Sequence, residues 1–156
     1  MELFAYRPWG PAIVRYLEPT YSHIIFIMDP FLSHSSSGFV SQILLALSVH
    51  FRIPYPTTFV MNKMDLLSGA QRERILRYID DWDSVFEDIM QENEGVYTTL
   101  GVEIYRVISE IEGAIKIIPT SAVTQEGFSE IYYEIQLVPM GGEDIVTGRR
   151  DIDFEP

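Results

Sequence analysis

Three short runs of apolar, mostly β-branched or aromatic residues constrain the fold more than any other feature: His23-Ile24-Ile25-Phe26-Ile27-Met28, Thr57-Thr58-Phe59-Val60-Met61 and Ala114-Ile115-Lys116-Ile117-Ile118. Their apolarity is nearly continuous rather than alternating, the pattern of strands covered on both faces in a parallel sheet. Between the runs, Phe39, Val40, Ile43, Leu44 and Leu47 recur at helical spacing. So do Ile75, Ile79, Trp82, Phe86 and Met90, and then Leu100, Ile104, Val107, Ile108 and Ile111. Each set predicts a stripe buried on the sheet. Strand alternating with helix predicts an α/β fold, a three-layer parallel sheet with helices on both faces and right-handed crossovers.

The boundaries carry their own chemistry. Gly10-Pro11 suits a first helical turn, Ser68 with Gln71 forms a capping-box pattern, and Gly95 and Gly113 read as stops. A last helix is predicted from about Thr124 to Val138, with Phe128, Ile131, Tyr132 and Ile135 inward and Pro139-Met140-Gly141-Gly142 ending it. The polar stretch over 139–156 is expected to be a frayed, disordered tail.

Composition narrows the function classes. A chain of 156 residues, 47% of them hydrophobic, is long enough for one packed domain and too short for two ordinary ones. A net charge of −12 with 11 basic residues and no basic cluster gives no electrostatic footprint for nucleic acid or an anionic membrane surface. The complete absence of cysteine rules out disulfides, thiolate metal sites and cysteine nucleophiles. No secretory signal or membrane-spanning stretch is visible, so a soluble cytoplasmic protein is expected.

The second run leads directly into Asn62-Lys63-Met64-Asp65, placing an Asn-Lys-x-Asp sequence at a strand's carboxyl end, where open α/β sheets bind ligands. A carboxylate at Asp65 can accept from the ring N–H and exocyclic amine of guanine, a pair of donors that adenine does not offer there. The stem of Lys63 can lie along the face of the ring, and Asn62 can tie neighbouring loops together and reach the base carbonyl. The third run ends in Pro119-Thr120-Ser121-Ala122. There the backbone N–H of Ala122 can approach the same carbonyl, and the Ser121 hydroxyl can brace Asp65. The bland alternatives are an Asx-turn at Asn62 and a helix-start carboxylate at Asp65.

The order of strand, Asn-Lys-Met-Asp-Leu-Leu-Ser, long helical segment, strand, Thr-Ser-Ala and Thr-Gln-Glu-Gly-Phe resembles the GPN-loop GTPases over about residues 1–138. Met1-Glu2-Leu3-Phe4 is similar to the segment after that family's Asp-x-Pro-Gly-Gln motif, and Arg7 to Leu17 to its next helix. The resemblance implies the second half of a P-loop GTPase domain, with a helical insert over about residues 80–112. It further implies GTP or GDP as ligand, dimerisation, and by analogy a role in RNA polymerase assembly. The family's Gly-x-x-x-x-Gly-Lys-Ser/Thr loop has no match, because the only two lysines are followed by Met64 and Ile117. Its Gly-Pro-Asn loop is also missing, since Gly10-Pro11 is followed by Ala12. The expectation is therefore one portion of a longer protein, from a truncated gene, a cleavage product or a fragment. Mg²⁺ would bind only in the complete protein, this chain would hydrolyse no GTP alone, and its partner would be the N-terminal half or a second copy. The competing expectation is a non-catalytic pseudo-GTPase or scaffold.

Other signals have plainer readings. Asp29 before Pro30 could be a phospho-acceptor, but the early acidic cluster of response-regulator receivers is missing; a strand-end cap is expected. The Ser33 to Gly38 loop lacks a lysine and reads as a flexible loop and helix start. Asp80, Asp81, Asp83, Glu87 and Asp88 read as a solvated helix face rather than a surface for a basic partner. His23, His34 and His50 lack mutual zinc spacing and read as structural. Glu2 reads as an exposed terminal residue, with orientation of water in a complete protein as its functional alternative.

Overall fold

The computed structural model describes residues 7, 9–17, 22–53, 55–92, 102–107 and 115–137. In chain order they form α1 (Trp9–Leu17), β1 (Ile24–Met28), a 3-10 turn (Pro30–Leu32), α2 (Ser36–Arg52) and β2 (Thr57–Met61). A second 3-10 turn (Met64–Leu66), α3 (Gly69–Asp80), α4 (Trp82–Glu92), β3 (Ile117–Pro119) and α5 (Phe128–Leu137) follow. A helical segment over 102–107 precedes β3.

The strands form one parallel sheet in the order β1-β2-β3, with Phe26 opposite Phe59 and Phe59 opposite Ile117. Side chains alternate across it. Ile24, Phe26, Met28, Phe59, Met61, Ile115 and Ile117 join a core with Phe39, Ile43, Ile75, Tyr78, Trp82 and Val85 from α2, α3 and α4. Phe39 sits at its centre, with its ring centroid 5.3 Å from Tyr78 and 5.8 Å from Trp82. On the opposite face, Ile25, Ile27 and Val60 share an apolar groove with Phe128 and Ile131 of α5. The three-layer α/β reading therefore stands.

Several details depart from the periodicity. The expectation that β1 is covered on both faces fails, because Ile25 and Ile27 are 38% and 55% exposed. Among the described residues α5 alone faces that side, and it reaches the sheet over β2. The stripe from Ile75 to Met90 is broken at Asp81, whose extended backbone ends α3. Its carboxylate then accepts from the Asp83 N–H at 3.1 Å, starting a new helix. The phase resets, so Val85 and Ile89 are buried while Met90 is exposed. Leu44 likewise lies at the exposed edge of α2, where Ala46 and Val49 turn inward.

The last helix starts at Phe128 rather than Thr124, because Gln125 and Gly127 adopt left-handed backbone. No residue of it is fully buried, and Phe128 and Tyr132 are exposed. The expected Ser68–Gln71 capping box forms. The structure adds a cap at Ser35, which accepts from the Gly38 N–H at the start of α2. The acidic run is more engaged than a solvated face: Asp88 accepts from Arg77 and Tyr78, and Asp83 from Tyr105. The proposed stops at Gly95 and Gly113, Leu100, Ile108, Ile111, Glu2 and the tail lie outside the described residues.

Candidate functional site

Both candidate loops leave the carboxyl edge of the sheet side by side. The Asn62 N–H continues the strand ladder by donating to Met28 O at 3.2 Å, and Thr120 N–H donates to Met61 O at 2.8 Å. Met64 N–H then donates to Thr120 O at 3.0 Å, binding the second turn to the third strand's end. These backbone bonds place the loops before any side chain acts.

Within this frame Ser121 Oγ donates to Asp65 Oδ1 at 2.6 Å. Ser121 is fully buried, and its hydroxyl oxygen accepts from the N–H groups of Val123 and Thr124 at 3.2 and 3.1 Å. The hydroxyl proton is thereby directed at the carboxylate. Asp65 itself is exposed on the first helical turn of residues 64–66, with acceptor capacity left over. Thr120 Oγ1 makes longer contacts to Met61 O and Asn62 Oδ1, at 3.3 and 3.4 Å. Ala122 is exposed, and its amide has no hydrogen-bond partner among the described residues.

Lys63 occupies left-handed backbone at φ 67°, a conformation rare for residues with a Cβ and found disproportionately at functional sites. Its ammonium spans the strand ends to reach Asp29 Oδ2 at 2.8 Å. The other Asp29 oxygen accepts from the Phe31 N–H at 3.0 Å, so the expected cap is present. That hydrogen bond from Lys63 is the main reason the Asp29 carboxyl titrates below the usual aspartate range.

The residues expected at the site thus converge in part. Asp65 with Ser121 and Asn62 with Thr120 are in contact, and Ala122 lines the groove beside Asn62 and Thr120. Lys63 turns to Asp29 instead. Sequence reasoning gave no role to the supports Gln42, Arg72, Glu126 and Gly127, although Glu126 and Gly127 lie in the Thr-Gln-Glu-Gly-Phe stretch of the resemblance. Arg72 of α3 pairs with Glu126, whose carbonyl accepts from the Ser121 N–H at 3.2 Å, so α3 is tied to the third-strand loop. Gly127 lies at φ 77°, where a Cβ would stand 2.3 Å from Pro119 O and 2.6 Å from Thr120 Cγ2. The Glu126-Gly127 turn before an apolar helix was the available clue.

The two loops offer a carboxylate with acceptor capacity left over, a backbone N–H at Ala122 without a partner among the described residues, and the aliphatic stem of Lys63. Such a set suits a planar heterocycle presenting two adjacent N–H donors and a carbonyl. The histidines stand elsewhere: His23 Nε2 contacts Thr58 Oγ1, His50 Nδ1 contacts Thr57 Oγ1, and His34 Nδ1 contacts Phe31 O.

Comparison with known proteins adds independent findings. The model of a family described as a conserved hypothetical ATP-binding protein matches residues 1–138. The chain is 24% identical over 131 residues to GPN-loop GTPase PAB0955 of Pyrococcus abyssi, covering 84% of this chain and 52% of that protein. It is 26% identical over 161 residues to GPN-loop GTPase 3 of Danio rerio, covering 100% of this chain and 56% of that protein. The solved apo-form GTPase structure of PAB0955 from Pyrococcus abyssi matches with a TM-score of 0.73 at 23% identity, over 88% of this chain and 54% of that one. At that identity the likeness speaks for the fold. The chain spans about half the length of these relatives.

Proposed function

The chain belongs to the GPN-loop GTPase family, and from that premise we propose that residues 1–138 are the guanine-recognising portion of a GTPase domain. In this reading Asp65 accepts from the ring N–H and exocyclic amine of guanine, and Ser121 holds that carboxylate in place. Ala122 N–H and Asn62 meet the base carbonyl, and the Lys63 stem covers the ring. The observation that carries the reading is the 2.6 Å hydrogen bond from the buried Ser121 hydroxyl to Asp65. An isolated helix-start carboxylate needs no such brace.

The matched family's description names ATP, whereas the site chemistry favours guanine. Adenine has an acceptor where guanine has its ring N–H, and it lacks the neighbouring amine. An ionised Asp65 facing adenine would therefore be an unpaired charge. Phosphate and Mg²⁺ binding require a loop of backbone amides with a lysine, and the sequence contains no Gly-x-x-x-x-Gly-Lys-Ser/Thr. On this reading the chain alone turns over no GTP, and hydrolysis, dimerisation and any role in polymerase assembly belong to the complete protein.

The test is base exchange in the complete protein. Asp65→Asn offers guanine one acceptor and one donor, so a partner is lost. Xanthine carries a carbonyl where guanine has its amine. GTP should weaken and xanthosine triphosphate strengthen, each by roughly tenfold to a hundredfold, the value of a charge-assisted hydrogen bond. An unchanged GTP-to-XTP preference in a folded variant would overturn the assignment.

A scaffold reading keeps one observation in its favour, the apolar groove formed by Ile25, Ile27, Val60, Phe128 and Ile131. Such a surface suits a protein contact and needs no nucleotide.

A further inference from the structure

The ion pair between Lys63 and Asp29 is an ordinary half-exposed contact if only its two ends are considered, with side chains 50% and 36% exposed. Its surroundings are not ordinary. Asp29 is gripped on both sides of its backbone by one amide: Gln42 Oε1 accepts from the Asp29 N–H at 3.0 Å, and Gln42 Nε2 donates to the Asp29 carbonyl at 2.9 Å. The same Gln42 nitrogen also contacts the hydroxyl of Ser33. Gln42 and Ser33 are buried at the strand-to-helix junction between β1 and α2, together with Ser36. With one carboxylate oxygen committed to the Phe31 N–H, the remaining oxygen has a fixed direction. Lys63 takes that oxygen.

We propose that Asp29, clamped by Gln42, is a positioning residue that anchors the Lys63 ammonium so that its aliphatic stem is held across the base-binding opening. The inference rests on the guanine reading above and adds Asp29, just beyond β1, and Gln42 of α2 to it. Lys63 is constrained at both ends, by left-handed backbone beside Asn62 and by Asp29 at the end of the neighbouring strand. A free lysine would lose rotamer entropy when a ring settled on its stem; an anchored one has already lost it. The clamp gives the buried Gln42 amide its hydrogen-bond partners. It sets the anchor before ligand arrives.

The experiment is a titration of the complete protein with GDP, read by amide NMR shifts at Asn62 to Leu66 and Ser121 to Val123, for the unaltered protein, Asp29→Asn, Lys63→Ala and the double variant. Asparagine at 29 can still accept from the Phe31 N–H, so folding is expected to persist; Asp29→Ser, which also keeps a cap oxygen, is the second variant. Asp29→Asn should weaken GDP about three- to fivefold, in keeping with loss of a half-exposed ion pair. The loss should vanish in the Lys63→Ala background, which a merely structural role would not produce. XDP should weaken by the same factor, since the stem contacts the ring face rather than its edge. Unchanged GDP affinity in Asp29→Asn, equal losses with and without Lys63, or tighter binding, as expected of a latch blocking the site, would each overturn the proposal. If GDP moves none of these amides in the unaltered complete protein, the guanine reading fails and this inference with it. If GDP binds and Asp29 is silent, the inference alone fails.

Discussion

Asp65 and Ser121 stand 56 positions apart and meet at 2.6 Å because the two strands that precede them are adjacent and parallel. What surrounds them tolerates little change. Gly127 is the clearest case, since its left-handed backbone and its approach to Pro119 O leave no room for a methyl group. Left-handed backbone alone costs an L-residue about 1–2 kcal/mol, and the carbonyl must shift as well. Gly127→Ala should therefore destabilise the chain by at least about 1–2 kcal/mol in urea. A shift of the Ser121 and Thr120 amide resonances should accompany it. An unchanged denaturation midpoint would mean that the loop can relax at no cost.

At the scale of elements, α2, α3 and α4 are fixed by a continuous aromatic and aliphatic core, whereas α5 buries no residue fully. Its attachment to the sheet includes polar contacts near its carboxyl half. Lys116 pairs with Glu134 at 2.6 Å, and His23 beside β1 contacts Thr58 while feeling the Glu134 charge. Desolvation by burial lowers the His23 pKa below its ordinary 6.5, and Glu134 only partly offsets this. Because the folded value lies below the unfolded one, the unfolded chain binds the proton more readily. The His23 contribution to stability is therefore full above the unfolded value and is lost as pH falls from there through the folded value. Urea midpoints should drop on acidification from about pH 7 toward pH 5, with a smaller drop in His23→Gln. Equal pH dependence in both proteins would remove His23 from the account.

At the scale of the whole molecule, β1 has β2 on one side and no strand on the other among the described residues. Its outward Ile25 and Ile27 adjoin the groove under α5. An open edge with apolar side chains invites pairing, so sedimentation should show concentration-dependent self-association of the chain. A clean monomer at high concentration with a two-state melt would contradict this. No helix among the described residues is long and apolar enough to cross a membrane. Absence of phosphate-loop chemistry predicts no GTP turnover above buffer background. Activity that survives repurification and disappears in Asp65→Ala would refute that.

Much of this was legible in the residues themselves. Continuous apolar runs marked the strands, 3.6-residue periodicity marked the helices, and Asn62-Lys63-Met64-Asp65 and Ser121-Ala122 fell at strand ends, because backbone preference and side-chain period are local properties. Family membership was legible for the same reason, through short motifs in a set order. Tertiary structure alone decided the break at Asp81, the exposure of Ile25 and Ile27, and the pairing of Lys63 with Asp29 under the grip of Gln42. These depend on which groups from distant segments meet, and on which face another element covers. A one-residue helix break changes no composition, yet it turns a different side of α4 toward the core. A lysine's partner is likewise set by the nearest carboxylate in space, and Asp29 comes within reach only when β1 and β2 pair.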